Sequence, residues 1–413
     1  MHTDDASHQL LQAIGFLLLS ICVLLYSLLE DIMIKTSVLL VAAALALFGI
    51  TATAAAGDSP GRLGVYARLY EEAKTPDKLA QAMKQIKATG LDFIIPSGKP
   101  GSVYWDSRIA PEELVANRGY MAAIIKCAHA EGLQVYPQIC VATEGGESAP
   151  NAMLKRNPSW AYFYDGARHG YIDPGNAAAR RYEVSLIAEL VSKYDVDGVS
   201  LDYCRCPSHV GYTDSGRAEF LKRYNVDLAK IVGGTAEALD TEGGKRAAPP
   251  STASVRANPI WPEWRKWRTE QINTLAREIR VAVNKAKPGL PISSYVWGYL
   301  TYTNNSEVCQ DWMTWIKEGY LDWINPSGYR YTDQAFLEAA RANRDHVPKG
   351  FPFYITIGVK TSHGALKDAA EIRKQIGMSR ECGADGLVFF TWESLRPFAS
   401  EVAGDIKAYG SKR

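Results

Sequence analysis

The chain has 413 residues, with 46 Lys and Arg against 45 Asp and Glu and a formal net charge of +1. Charges that nearly cancel give no electrostatic hold on a polyanion, which argues against nucleic acid or an acidic membrane surface as a partner. The length suits one large domain with additions, and 10 Trp with 22 Tyr supply flat faces that suit a weakly polar ligand such as a sugar ring.

Two apolar blocks open the chain, at residues 9–29 and 37–56. Met33-Ile34-Lys35, the apolar run 38–50 and Thr53-Ala54-Ala55-Ala56-Gly57 have the layout of a secretory signal peptide with a small-residue cleavage site. The expectation is that residues 1–32 are an over-extended start, that 33–56 are the signal peptide, and that 57–413 are secreted or periplasmic. The alternative is a membrane anchor, because the first block alone is long enough to span. Six cysteines remain in the body, without metal-site spacing. Buried free thiols are the default, and a bridge from Cys140 to Cys204 or Cys206 is the other option.

From Gly64 onward strand and helix signals alternate eight times. Strands are expected at 64–69, 91–97, 133–141, 197–203, 291–297, 322–329, 353–359 and 386–393. Helices are expected at 76–89, 119–131, 177–193, 215–224, 264–287, 310–318, 333–346, 366–382 and 397–409. Pro76 stands at a first helical position, and Gly90 and Gly132 stop the helices before them. Residues 142–176 read as a long loop, and 225–262 as a Gly-, Ala- and Pro-rich insertion. Strands that are apolar throughout and alternate with helices imply one closed parallel (β/α)8 barrel. An open doubly wound sheet lacks its glycine-rich nucleotide turn here.

In such a barrel the strand C-termini converge on one site. The fourth strand, Asp197-Gly-Val-Ser-Leu-Asp202-Tyr203-Cys-Arg205-Cys-Pro207, delivers a carboxylate, a phenol and a guanidinium there. Asp197, at the strand start, falls on the opposite side. The other strand ends add Tyr66 and Arg68, Trp297, Asn325 and Tyr329, and Trp392 with Glu393. Glycoside hydrolysis needs two carboxyls about the scissile bond, or one with help from the substrate. Asp202 is the first choice, with Arg205 positioned to hold it ionised. Glu393 is its partner, against the plainer reading of a salt bridge to Arg396. Glu144 and Asp106 are the next candidates. Asn325 and Tyr329 suit hydrogen bonds to hydroxyls, and Trp297 and Trp392 suit ring stacking. No metal or cofactor is called for.

Several blocks together resemble a known family. They are Tyr171-Ile-Asp-Pro-Gly-Asn176, the fourth strand with the three residues before it, Asp311-Trp through Asp322-Trp-Ile-Asn-Pro326, and Ala384-Asp-Gly-Leu-Val-Phe-Phe390. The chain resembles the glycosyl-hydrolase-like 10 family over residues 64–407. That resemblance implies an extracytoplasmic (β/α) barrel, a polysaccharide substrate (peptidoglycan glycan strands in some members), and Asp202 as the central acid with Tyr203 and Arg205 in the wall. Many members carry a second Asp just before the Tyr, and this chain has only Leu201-Asp202-Tyr203. The competing reading is a non-catalytic carbohydrate-binding barrel. A third is a barrel lyase or isomerase with Arg68 and Lys360 on an acidic substrate.

Overall fold

Strands that are apolar on both faces need cover on both, and closing them into a ring of helices supplies it. A computed structural model describes residues 63–145, 149–233, 250–299 and 305–411. The expected start and signal segments and the middle of the insertion lie outside the described residues. Within them, no helix is long and apolar enough to cross a membrane.

Eight parallel strand positions form the barrel: β1 Leu63–Ala67, β2 Phe93–Lys99, β3 in two pieces at Gln134–Val135 and Gln138–Cys140, β4 Val199–Asp202, β5 Ile292–Val296, β6 Trp323–Gly328, β7 Tyr354–Gly358 and β8 Gly386–Phe390. Pro137 separates the pieces of β3, since proline cannot donate to a ladder. Closure is explicit in the pairing, because β1 pairs with both β2 (Gly64 with Phe93) and β8 (Leu63 with Leu387). The outer layer is α1 Pro76–Ala88, α2 Tyr120–Ala130, α3 Ala177–Lys193, α4 Trp261–Ala286, α5 Trp312–Lys317, α6 Asp333–His346, α7 Ala369–Glu381 and α8 Ala399–Ser411.

The structure departs from the sequence reading in the loop 142–176. Ala161–Tyr164 and Ala167–Ile172 pair there as an antiparallel hairpin. Asp165 and Gly166 form its two-residue turn, both with positive φ (49° and 75°), which is the chemistry a tight hairpin requires. The Asp-Gly signal was present in the sequence, between the apolar aromatics Tyr162, Phe163, Tyr164 and Tyr171.

Alternate strand residues point inward, and the lower half of the barrel is filled with rings. Phe93 meets Tyr136 at 5.3 Å and Trp323 at 5.5 Å between centroids, and Trp323 stacks on Tyr354 at 4.9 Å. Two glycines make room for them. A Cβ on Gly64 would lie 2.1 Å from the Phe93 ring, and one on Gly198 2.2 Å from the Tyr136 ring. Above the rings Asn325, fully buried, donates to Tyr66 Oη (3.0 Å) and Thr356 Oγ1 (3.3 Å).

A buried ion cluster ties β2 to α3 outside the barrel. Lys99 Nζ lies 2.7 Å from Glu144 and 3.1 Å from Glu183, and donates to the Cys140 and Thr143 carbonyls. Burial, opposed by Lys99 and reinforced by Glu144, pushes the Glu183 carboxyl well above its usual range. Burial pulls the Lys99 ammonium down, but the two carboxyls raise it more.

The ring packing gives a direct test. Gly64→Ala should lower the unfolding free energy by about 1–3 kcal/mol in a urea melt, as overpacking does. An unchanged midpoint would mean that Phe93 moves aside without cost.

Candidate active site

Above the floor of rings the barrel opens at its C-terminal mouth. A cavity of about 1040 Å³ sits there, and all eight strand positions or the loops that follow them line it. Asp202 ends β4, and Glu393 follows β8 in the short helix Trp392–Leu395. These strands are four places apart either way around the barrel, so the two carboxylates face across the mouth from opposite walls.

Each carboxylate holds a strained strand exit. Tyr203, just after β4, has φ 49°, and Leu69, just after β1, has φ 53°. Left-handed backbone costs an ordinary L-residue about 1–2 kcal/mol. Asp202 Oδ1 accepts from the Tyr203 amide at 2.7 Å. Glu393 Oε1 accepts from the Arg68 and Leu69 amides at 2.9 and 3.3 Å. In both cases one oxygen is fixed by backbone and the second remains for other work. Asp202 Oδ2 accepts from Gln138 Nε2 at 2.6 Å, so β3 and β4 together fix the carboxylate plane. Glu393 Oε2 is buried without a hydrogen-bond partner. Arg396 pairs instead with Glu72, at 3.1 Å.

The wall beside Asp202 is aromatic and cationic. The Arg205 guanidinium lies 4.6 Å from the Tyr203 ring centroid and 4.6 Å from that of Trp297, with Tyr171 at 5.8 Å. Such a sandwich holds the charge by ring quadrupoles and keeps both rings upright at the mouth. Tyr295 stacks on Tyr329 at 5.8 Å, and Tyr329 leans on Phe390 at 5.4 Å. Burial first, and then the charge of Asp202, pushes the Tyr66 hydroxyl well above its ordinary range. Burial and the neighbouring phenols do the same to Tyr329. These phenols stay protonated and serve as hydrogen-bond donors. Burial also pushes Tyr70, at the cavity rim, up to about 12.

Eight of the ten residues expected from sequence line this cavity: Asp202, Glu393, Tyr66, Arg68, Tyr203, Arg205, Trp297 and Tyr329. Two do not. Asn325 is fully buried just above the rings and donates to Tyr66 and Thr356. Trp392 is 1% exposed and turns outward, against Gln85 and Ala88 of α1 and Ala399 and Ala403 of α8. It sits in the first turn of a helix rather than in the strand, so its side chain leaves the barrel while that of Glu393 enters. Of the reserve carboxylates, Glu144 is spent in the Lys99 cluster and Asp106 pairs on the surface with Arg118 and Lys193. Gln138 lines the cavity as well, and its hold on Asp202 depends on the β3–β4 register, in which Gln138 lies beside Ser200. The hairpin of Lys360–Thr361 and Gly364–Ala365, with His363 at its tip, also reaches the cavity. Its Thr-Ser-His-Gly turn was the only signal for it.

Fold and mouth together define a glycosidase-type (β/α)8 barrel. The Glycosyl hydrolase-like 10 family model matches residues 66–363, and the chain belongs to that family. The chain is 24% identical over 301 residues to the protein named Glycosyl hydrolase DigH of Escherichia coli K12, covering 64% of this chain and 59% of that one. It is 21% identical to an S-layer-related protein of Niallia circulans over 56% of this chain and 16% of that protein. The chain thus spans about three fifths of the DigH length or less of the curated relatives it matches. Among solved structures, the PgaB (BpsB) glycoside hydrolase domain of Bordetella bronchiseptica aligns with a TM-score of 0.59 at 14% identity, over 84% of this chain and 99% of that one. A β-galactosidase of Rahnella sp. R3 aligns with a TM-score of 0.58 at 16% identity, over 86% of this chain and 57% of that one. These two likenesses are of fold.

The pairing of Lys99 with Glu144 and Glu183 has a measurable consequence. Lys99→Met should lower the unfolding free energy at neutral pH by about 3–5 kcal/mol, because it strands two buried carboxyls. Part of the loss should return as pH falls, since the Glu183 carboxyl, pushed up by burial, holds its proton in the folded state and is stabilising below its unfolded pKa. A loss that does not change with pH would show that the carboxyls are not the cause.

Proposed function

We propose that the chain is a glycoside hydrolase that cleaves an O-glycosidic bond of a polysaccharide outside the cytoplasm. The observation that carries this reading is the pair Asp202 and Glu393, facing each other across an aromatic cavity in a family of glycosyl-hydrolase-like barrels. Asp202 receives hydrogen bonds on both oxygens, which favours the ionised form. It is the group that acts at the anomeric carbon or on the attacking water. Glu393 keeps Oε2 without a partner, which leaves that oxygen for the substrate. It is the donor to the leaving oxygen. Trp297 and Tyr203, held by Arg205, offer faces to a sugar ring, and the protonated phenols of Tyr66 and Tyr329 offer donors to its oxygens.

One observation favours a second reading, a carbohydrate-binding barrel without catalysis. Glu393 already has a structural task at the exit of β1. The two readings separate in one assay. Full-length protein, Asp202→Asn and Glu393→Gln are incubated with a panel of polysaccharides that includes peptidoglycan glycans, and released reducing ends are followed. The hydrolase predicts release by the wild type, a loss of about 10²–10⁴-fold in each variant as for acid–base groups, and retained binding by Asp202→Asn. Binding without release by any form would establish the carbohydrate-binding barrel instead.

A further inference from the structure

One hydrogen bond crosses the barrel interior just below the cavity, and its direction decides what the cavity offers a sugar. Asn325 stands on β6, Tyr66 on β1, three strand positions away, and Thr356 on β7. Asn325 and Thr356 are 0% exposed and Tyr66 3%. The Phe390 ring, 5.3 Å from that of Tyr66, supports the phenol from the side.

Thr356 decides which way round the Asn325 amide sits, and so which partner donates. Its Oγ1 donates to the Asn325 main-chain carbonyl at 3.2 Å. A hydroxyl has one proton, so toward the Asn325 side chain Thr356 can only accept. The amide therefore turns its nitrogen to Thr356 Oγ1 at 3.3 Å, and the same nitrogen reaches Tyr66 Oη at 3.0 Å. Both amide protons are used, and Oδ1 is left buried with no hydrogen-bond partner. The reverse orientation would set Oδ1 against a hydroxyl whose proton is spent, and would bury the two N–H groups unpaired.

Tyr66 Oη thus accepts, and its own proton has to go elsewhere. Among the described residues no group takes it. The neighbouring Ser200 hydroxyl, also buried, has no hydrogen-bond partner. Tyr66 lines the cavity, where it faces Asp202 at the end of β4, Tyr295 on β5 and Tyr329 just after β6. Burial and the Asp202 charge keep the phenol protonated.

We propose that Asn325 is a positioning residue: by donating to Tyr66 Oη it commits the Tyr66 proton to the cavity, for an acceptor oxygen beside the anomeric carbon of the sugar that meets Asp202. Hydrogen bonds at such oxygens strengthen as the transition state of glycoside hydrolysis forms. This role takes the hydrolase reading as given, whereas the direction of the bond does not depend on it. From sequence Asn325 was expected to touch sugar hydroxyls itself, and the structure has it act through Tyr66.

Asn325→Asp keeps the shape and makes the direction switchable. As a neutral carboxyl the new side chain can donate to Tyr66, as the amide does. As a carboxylate it can only accept, and it draws the Tyr66 proton away from the cavity. Burial places its titration above the usual carboxylate range. On a polysaccharide that the wild type cleaves, the ratio of variant to wild-type kcat should fall by about tenfold as pH rises through that titration, the worth of one hydrogen bond. Tyr66→Phe should lose about tenfold at every pH, and the double variant should show no further fall. A pH profile of Asn325→Asp parallel to the wild type would overturn the proposal. So would an equal fall in the double variant, which would trace the effect to charge added near Asp202.

The direction of the bond is read in full-length protein without glycan. The Raman doublet of Tyr66, isolated as the difference between wild type and Tyr66→Phe, separates an accepting phenol from a purely donating one. It should show acceptance in the wild type and pure donation in ionised Asn325→Asp. A purely donating Tyr66 in the wild type would overturn the proposal whatever the kinetics, and this spectrum decides even if Asn325→Asp does not fold. Acceptance by Tyr66 with no glycan cleaved by the wild type would uphold the assigned direction and count against the hydrolase reading alone.

Discussion

Four rings and two missing side chains set the terms for everything above them. Phe93, Tyr136, Trp323 and Tyr354 fill the lower barrel because Gly64 and Gly198 leave no Cβ in their way. The interior is therefore solid at one end, and a large cavity opens at the strand C-termini. Parallel strands deliver their terminal side chains to that end by construction. The site is thus a consequence of where the barrel is full.

Above the floor, the chemistry is built from strain and its relief. Tyr203 and Leu69 turn their chains sharply at opposite walls, and each turn is held by a carboxylate. The same carboxylates are the groups that face the cavity. A side chain that fixes a backbone exit is itself fixed, so Asp202 and Glu393 are rigid without a separate support. Gln138 adds a second constraint on Asp202, and the Arg205 sandwich orients the neighbouring rings. Buried charge is treated differently in the two clusters outside the mouth. Lys99 has two carboxyls, whereas Arg268, among the described residues, has the Tyr162 hydroxyl, the Pro207 carbonyl and the Trp261 ring.

Much of the architecture was legible in the chain. The alternation of apolar strands with amphipathic helices has a short period, and local pattern is enough to read it. All eight strand positions and the surrounding helices appeared close to where the sequence placed them. The hairpin at 161–172 was missed because its Asp-Gly turn lay inside a stretch assigned to loop by length. The barrel also put Asp202, Arg205, Trp297 and Glu393 at one mouth, since each stands at or just beyond a strand end.

What the sequence determined by itself was which residues reach the mouth end of the barrel, because strand direction and strand ends are local properties. Tertiary structure decided which of them face the cavity and what holds them. One residue separates Trp392 from Glu393, yet one packs outward on α1 and α8 and the other inward, because the helix after β8 rotates successive side chains by about 100°. Asn325 is a buried residue because Tyr66 and Thr356 come from strands distant in sequence. Glu144 is withdrawn by Lys99, and Cys206 is met by Tyr162, by contacts across 45 and 44 positions of chain that no local pattern records. Such partners are set by barrel register and loop packing, which exist only once the ring has closed.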